Sequence, residues 1–153
     1  MAAITVTEAN VGIYGDPANS TIDTATRSGE ALDMGEAVYL KAADGRWWRA
    51  RAAAAGSDEE AGLNVDKGIV ISPAQAAGDG VVVVTLGYVY IGDGTVTEGG
   101  IWLGKNYGEL VEDGDLSSYT SGDRYTQYGS ITLVSNSIYV LRVNPDATGN
   151  AVP

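Results

Sequence analysis

From Gly35 onward the apolar positions fall in short runs separated by Gly- and Asp-rich breaks. Glu36-Ala37-Val38-Tyr39-Leu40-Lys41 alternates with a period of two, Ala42-Ala43-Asp44-Gly45 makes a turn, and Arg46-Trp47-Trp48-Arg49-Ala50-Arg51 alternates again. Two alternating runs around a turn predict a β-hairpin. Ser57-Asp58-Glu59-Glu60 has the spacing of a capping box and predicts one short helical turn near 57–62. Gly68-Ile69-Val70-Ile71-Ser72 reads as a buried strand stopped by Pro73. Asp79-Gly80 is a turn leading into Val81 to Ile91, the most strand-like stretch of the chain.

The second half repeats this order. Ile101-Trp102-Leu103 lies 63 positions after Val38-Tyr39-Leu40, and Gly108 lies 63 after Gly45. Glu109-Leu110-Val111 then answers Arg46-Trp47-Trp48, and Gly129 to Leu133 answers Gly68 to Ser72 at an offset of 61. Ile138 to Val143 answers Val81 to Leu86. Four matched segments in one order predict two copies of a β unit, or one barrel of two similar halves. The fold class expected is mainly β, a small β-barrel or β-sandwich with two similar halves and an extended N-terminal arm.

Residues 1–34 read differently. They are rich in Ala, Thr, Ser, Asn and Asp, with short apolar islands at Ile4, Val6, Val11, Ile13 and Tyr14. A segment this polar buries too little apolar area to order itself alone. It is expected to be a frayed tail, or an arm that orders against a neighbouring subunit by adding a strand to a sheet edge. The division is thus an arm over 1–34, a β domain over 35–144 with its pseudo-repeat at 35–91 and 98–144, and a frayed C-terminal tail over 145–153.

Composition narrows the function. With 21 Gly but only 4 Pro in 153 residues, and 44% hydrophobic residues, the chain is a globular domain with many tight turns. It has no Cys and no His, which removes disulfides, thiolate chemistry and any Ser-His-Asp triad. The net charge of -11 opposes binding to nucleic acid and to anionic membranes. Met1-Ala2-Ala3-Ile4-Thr5 lacks the basic start of a signal peptide, and no window approaches the roughly 18 apolar residues of a membrane helix, so neither is expected.

Several segments together resemble a known family. Gly35 to Leu40, Asp44-Gly45-Arg46, Ala77-Gly78-Asp79-Gly80-Val81-Val82-Val83 and Leu86-Gly87-Tyr88-Val89 are similar to the capsid decoration, or cement, proteins of tailed phages. So are Thr97 to Gly104, Gly108 and Ser121-Gly122-Asp123. The likeness spans about residues 35–144 and is one of turns and strands. It implies a small β-rich protein of the virion surface, assembled in the host cytoplasm, that binds the major capsid protein and forms a homotrimer. It implies no catalytic residues. Related β units occur in phage head fibres and tail fibres, so a receptor- or glycan-binding module is the alternative, with Trp47, Trp102 and the tyrosines as sugar platforms.

Candidate contact residues come from the first hairpin and the arm. Strand neighbours face opposite sides, so Trp48, Ala50 and Ala52 are expected on a core face with Val38 and Leu40. Trp47, Arg49 and Arg51 are then expected to point outward with Tyr39 and Lys41, as a basic aromatic surface for an acidic patch on a capsid protein or a second copy. Ile4, Val6, Val11, Ile13 and Tyr14 are the arm's expected anchors on a neighbour.

Candidate chemistry is sparse. Asp113-Gly114-Asp115 and Ser117 alternate as Ca²⁺ ligands might, but the closing Glu of a twelve-residue loop is missing. Glu98, Glu109 and Glu112 are carboxylates that no pattern selects as a catalytic pair. No metal, no cofactor and no enzymatic activity is expected.

Overall fold

The computed structural model describes residues 4, 6, 8–52, 58–91, 98–112, 119–135, 138–143 and 150–151. Strands β3 (Ala37–Lys41), β4 (Arg46–Arg49), β5 (Lys67–Ser72) and β6 (Val82–Tyr90) belong to the first half. Strands β7 (Gly99–Leu103), β8 (Leu110–Glu112), β10 (Gln127–Ser135) and β11 (Ile138–Val143) belong to the second. All pair antiparallel in the order β4-β3-β5-β6-β11-β10-β7-β8, curled into a half-barrel. No α-helix occurs among the described residues.

That order is a palindrome, so the two halves share one topology and meet along their fourth strands. Registers match as well. Leu40 lies opposite Trp47 as Leu103 lies opposite Leu110, and Val38 opposite Arg49 as Ile101 opposite Glu112. Val38 also faces Gly68, as Ile101 faces Gly129. Both hairpin turns place a glycine at positive φ, Gly45 at 65° and Gly108 at 74°, where a side chain would be strained. The offsets of 63 and 61 therefore hold in three dimensions. The fourth strand differs by one position: Val83 pairs with Val70, and its counterpart opposite Ile131 is Leu141, not Val140. Register shifts in both strand pairs absorb the extra residue.

Two cores explain the apolar pattern. The larger joins both halves through Ala37, Tyr39, Ile69 and Val84 on one side and Ile101, Leu103, Ile131 and Leu141 on the other. The smaller holds Leu32, Val38, Trp47, Val70, Ala74, Val81 and Val83. The first half of the sheet is thus buried on both faces, which is why Val81 to Val84 runs unbroken instead of alternating. At Gly68, a Cβ would come 2.3 Å from the Val84 carbonyl oxygen. Gly68→Ala should therefore destabilise by about 1–3 kcal/mol in chemical unfolding. Gly80→Ala, with nothing within 4 Å of its Cβ position, should be near neutral by the same measurement.

Both faces of the first hairpin are core faces: Trp48, Ala50 and Ala52 lie at the larger core, as expected, but with Tyr39 as strand partner, while Trp47, expected outside, lies with Val38 and Leu40 in the smaller core. Trp48 pairs with Tyr39 and Trp47 with Leu40, so Trp47 shares its face with Val38 and Leu40. Trp47 is 1% exposed. A one-residue slip in the assumed pairing moves every side chain to the other face.

The arm folds onto its own domain. β1 (Gly12–Ile13) and β2 (Thr21–Asp23) both pair with β6, Ile13 opposite Val89 and Ile22 opposite Val84. Close approach at Ser20 requires glycine at position 87, where a Cβ would lie 2.3 Å from the serine hydroxyl. The arm also covers both end strands. Ile4 N–H donates to the Leu110 carbonyl of β8 at 2.9 Å; Trp47 of β4 donates to Arg27 at 3.0 Å and accepts from Gly29 at 2.8 Å. Leu32 exchanges two backbone bonds with Ala74, at 2.8 and 2.9 Å, and roofs the smaller core. The arm is extended, as expected, but its partner is this chain's own sheet, and it shields the edges from further pairing.

At the C-terminal end, β12 (Asn150–Ala151) pairs with β9 (Arg124–Tyr125), so part of the tail expected to fray is a strand. Asp58 to Asn64 form hydrogen-bonded turns, with Leu63 N–H donating to the Asp58 carbonyl at 2.9 Å. Ser57, the expected helix cap, lies outside the described residues, as does the rest of the tail, 145–149 and 152–153.

Candidate functional site

Two of the four basic residues of the first hairpin, Arg49 and Arg51, are engaged by carboxylates of the same chain. Arg49 Nε lies 3.0 Å from Glu30 Oε1, and its Nη1 lies 4.0 Å from Glu36. Arg51 Nε lies 2.7 Å from Glu60 Oε1, with its guanidinium 4.2 Å over the Tyr107 ring. Lys41 Nζ sits 4.4 Å over Trp48. The hydrogen bond that Arg49 donates to Glu30 raises the pKa of its guanidinium above the ordinary value, and burial raises that of the Glu36 carboxyl. Arg49 and Arg51 are therefore neutralised within the chain, unlike the free basic patch expected for an acidic partner.

Among the expected contact residues, Trp47 and Tyr39 are buried, at 1% and 6% exposure, and have no surface to offer a partner. Ile4 belongs to the larger core, while Val11 and Ile13 pack half-buried against it. Val6 lies over Gly35, where a Cβ would meet its side chain at 2.5 Å. Of the five expected arm anchors, Tyr14 alone is exposed, at 38%.

Tyr39 sets an alkaline limit. Burial, with the nearby Glu60, Glu59 and Glu30 charges, pushes its phenol up to about 12 from 10.0. A group raised in the folded state contributes its full stability below the unfolded pKa and loses it as pH rises through the folded one. Stability should thus fall between pH 10 and about 12. Tyr39→Phe should make that fall shallower in pH-dependent urea unfolding. A remaining slope comes from Tyr128, whose fully buried phenol is also raised.

A second surface assembles from strands distant in sequence. Tyr14 N–H donates to the Tyr88 carbonyl at 3.0 Å, extending the β1–β6 register by one pair. Tyr88 lies opposite Arg142, Arg142 opposite Ser130, and Ser130 opposite Gly100. These five positions form a row across the outer face of the sheet. The row beside it, Ile13, Val89, Leu141 and Ile131, points into the larger core. Tyr88 is 37% exposed, and Leu86 close by on β6 is 46% exposed. At the far end, Trp102 and Gln127 lie over Gly100, whose Cβ position is 3.1 Å from each side-chain nitrogen.

This row carries one charge, Arg142, and no carboxylate, in a chain of 20 acidic residues. Tyrosine and arginine with acidic residues depleted is the composition of a protein contact surface. Tyr14 was visible in the sequence as an arm residue. Tyr88 and Arg142 were visible only as members of alternating runs, because their adjacency depends on the β6–β11 register.

The remaining candidates have structural partners. Glu98 Oε1 accepts from the Leu133 N–H at 2.9 Å, and Glu109 Oε2 accepts from the Asn106 amide at 2.8 Å. Glu112 stands opposite Ile101 in the β7–β8 register. Asp113 to Ser117 lie outside the described residues. Comparison with known protein families, curated proteins and solved structures finds no match.

Proposed function

We propose that this chain is a virion structural protein of the decoration, or cement, class, which binds the outer surface of a phage capsid and reinforces the shell. The observation that carries this reading is the carboxylate-free row Tyr14–Tyr88–Arg142 on a sheet buried beneath by a continuous core. Tyrosine rings give contact area at low entropic cost, and Arg142 supplies directional donors. The pattern of turns and strands described from the sequence supports the same reading.

The mechanism is mechanical. A stiff domain that touches two capsid subunits adds interface area that must be lost before they separate. About 800 Å² per partner suffices for specific binding, and repetition over many sites multiplies the effect. The family resemblance implies a trimer as the binding unit, a closed symmetry compatible with repeated attachment to a shell. The partners proposed are the major capsid protein and further copies of this chain.

The test is co-sedimentation with empty capsids of a tailed phage that carries this coding sequence. Saturable binding at a fixed stoichiometry is expected. The double variant Tyr88→Ala/Arg142→Glu, which alters two exposed positions, should fold normally and bind at least tenfold more weakly. Absence of saturable binding by the unaltered protein contradicts the proposal.

A further inference from the structure

Arg49 and Arg51 are neutralised within the chain, but the cations at the turn end of the same hairpin are not. Lys41 lies opposite Arg46 in the β3–β4 register. On the other side of β4, Ser28 of the arm forms a parallel bridge with Trp47, closed by the Trp47 N–H to the Arg27 carbonyl and the Gly29 N–H to the Trp47 carbonyl. That register sets Arg27 beside Arg46, and Gly29 beside Trp48. The Trp48 ring lies over Gly29, where a Cβ would meet it at 2.1 Å. Lys41, Arg46 and Arg27 therefore stand side by side on one face of three adjacent segments, in a row about 10 Å long.

The row lacks a counter-charge. Of the nine basic residues, Arg49, Arg51, Lys105 and Arg124 each have a carboxylate within 4.0 Å. Among the described residues, no carboxylate comes that close to Lys41, Arg46 or Arg27. Acidic side chains beside the row are turned to other donors. Asp44 accepts from the Arg46 N–H and from the Trp48 indole, both at 3.0 Å, and Glu59 accepts from the Ala42 N–H. Lys41 Nζ is held 4.4 Å over the Trp48 ring, a contact that places the ammonium and keeps its charge. Arg27 and Arg46 are exposed, and beyond Arg27 stands Gly80, with open space where a side chain would be.

Like charges directly opposite one another destabilise a sheet. In a chain of 20 acidic residues, three adjoining cations without a counter-ion cost the free molecule stability that an anionic partner restores. A lone small anion gains little at side chains standing in solvent and salt. A nucleic acid would run past the row into the field of a chain of net charge -11. A short run of carboxylates on a protein stays within the row, meets the guanidinium forks bidentately and excludes water as it docks. We infer that the Lys41–Arg46–Arg27 row docks a short acidic segment of another protein. That partner is acidic locally and not overall, because two strongly negative bodies repel at long range, a second copy of this chain included. The row shares no residue with Tyr14, Tyr88 and Arg142, so this contact is independent of the capsid reading.

The test is an NMR titration of the full chain with a hexaglutamate peptide at low salt, following the side-chain Nε–H resonances of Arg27 and Arg46. Both should shift saturably, and raising the ionic strength to about 0.15 M should weaken the binding severalfold. Arg27→Glu and Arg46→Glu, made separately so that one folded variant suffices, should each weaken it severalfold or more. Both should also raise the unfolding temperature, because a carboxylate then stands beside the remaining cations. No saturable shift, or unchanged affinity in a folded variant, overturns the inference. So does tighter binding of tripolyphosphate or of a single-stranded DNA oligonucleotide than of the peptide, which would mark a phosphate site. Concentration-dependent shifts of the row without peptide would mark a second copy as the occupant and overturn it too. A lowered unfolding temperature in both variants would remove the repulsion on which it rests.

Discussion

Trp47→Ala should lower stability by about 3–5 kcal/mol, the cost of removing a buried aromatic side chain from a packed core. The ring is 1% exposed and packs in the cluster of Leu32, Val38, Val70 and Val83. Its indole N–H also leaves Asp23 short of one donor when removed. For a domain of this size the loss corresponds to roughly 6–20 °C in Tm. An outward-facing Trp47, as the alternation of the hairpin suggested, would change stability by within about 0.5 kcal/mol. Thermal unfolding of the single variant separates the two cases. Trp48→Ala, at a half-buried position, should cost less than Trp47→Ala.

The second large effect concerns the arm. Deleting residues 1–34 removes Leu32 from the smaller core and the strand pairing along β6. It also uncovers the free edges of β4 and β8. Val38, Val70 and Val83 would then face water, beside unpaired backbone at both ends of the sheet. The truncated chain is expected to lose its cooperative unfolding transition and to aggregate through those edges. A truncated protein that unfolds cooperatively at the unaltered temperature would show the arm to be dispensable. A peptide of residues 1–34 added in trans should restore part of the transition, because its contacts are with the remaining domain.

Much of the architecture was legible because it is written in local patterns. Alternating runs and Gly turns place the strands, and the repeat of Val38 to Leu40 at Ile101 to Leu103 anticipates two similar halves, though not the palindromic order in which they join. What was not legible depends on register and on burial of both faces. Trp47 and Trp48 are adjacent, so either face of β4 carries a tryptophan, and periodicity cannot say which face is outside when neither is. The arm was misread because it is held largely by backbone hydrogen bonds, at Arg27, Gly29 and Leu32 among others, which hydropathy does not record. The basic run from Lys41 to Arg51 promised a positive patch. The counter-charges of Arg49 and Arg51 are Glu30, Glu36 and Glu60, from segments whose proximity only the fold creates.

The tyrosine row and the Arg49–Arg51 side of the hairpin make opposite claims about where a capsid partner sits. Side-chain oxidation footprinting of the protein, free and bound to capsids, distinguishes them directly. Binding should slow oxidation of Tyr14 and Tyr88 severalfold while leaving Tyr107, 47% exposed beside Arg51, unchanged. Protection of Tyr107 with Tyr14 and Tyr88 still fully reactive would contradict the account.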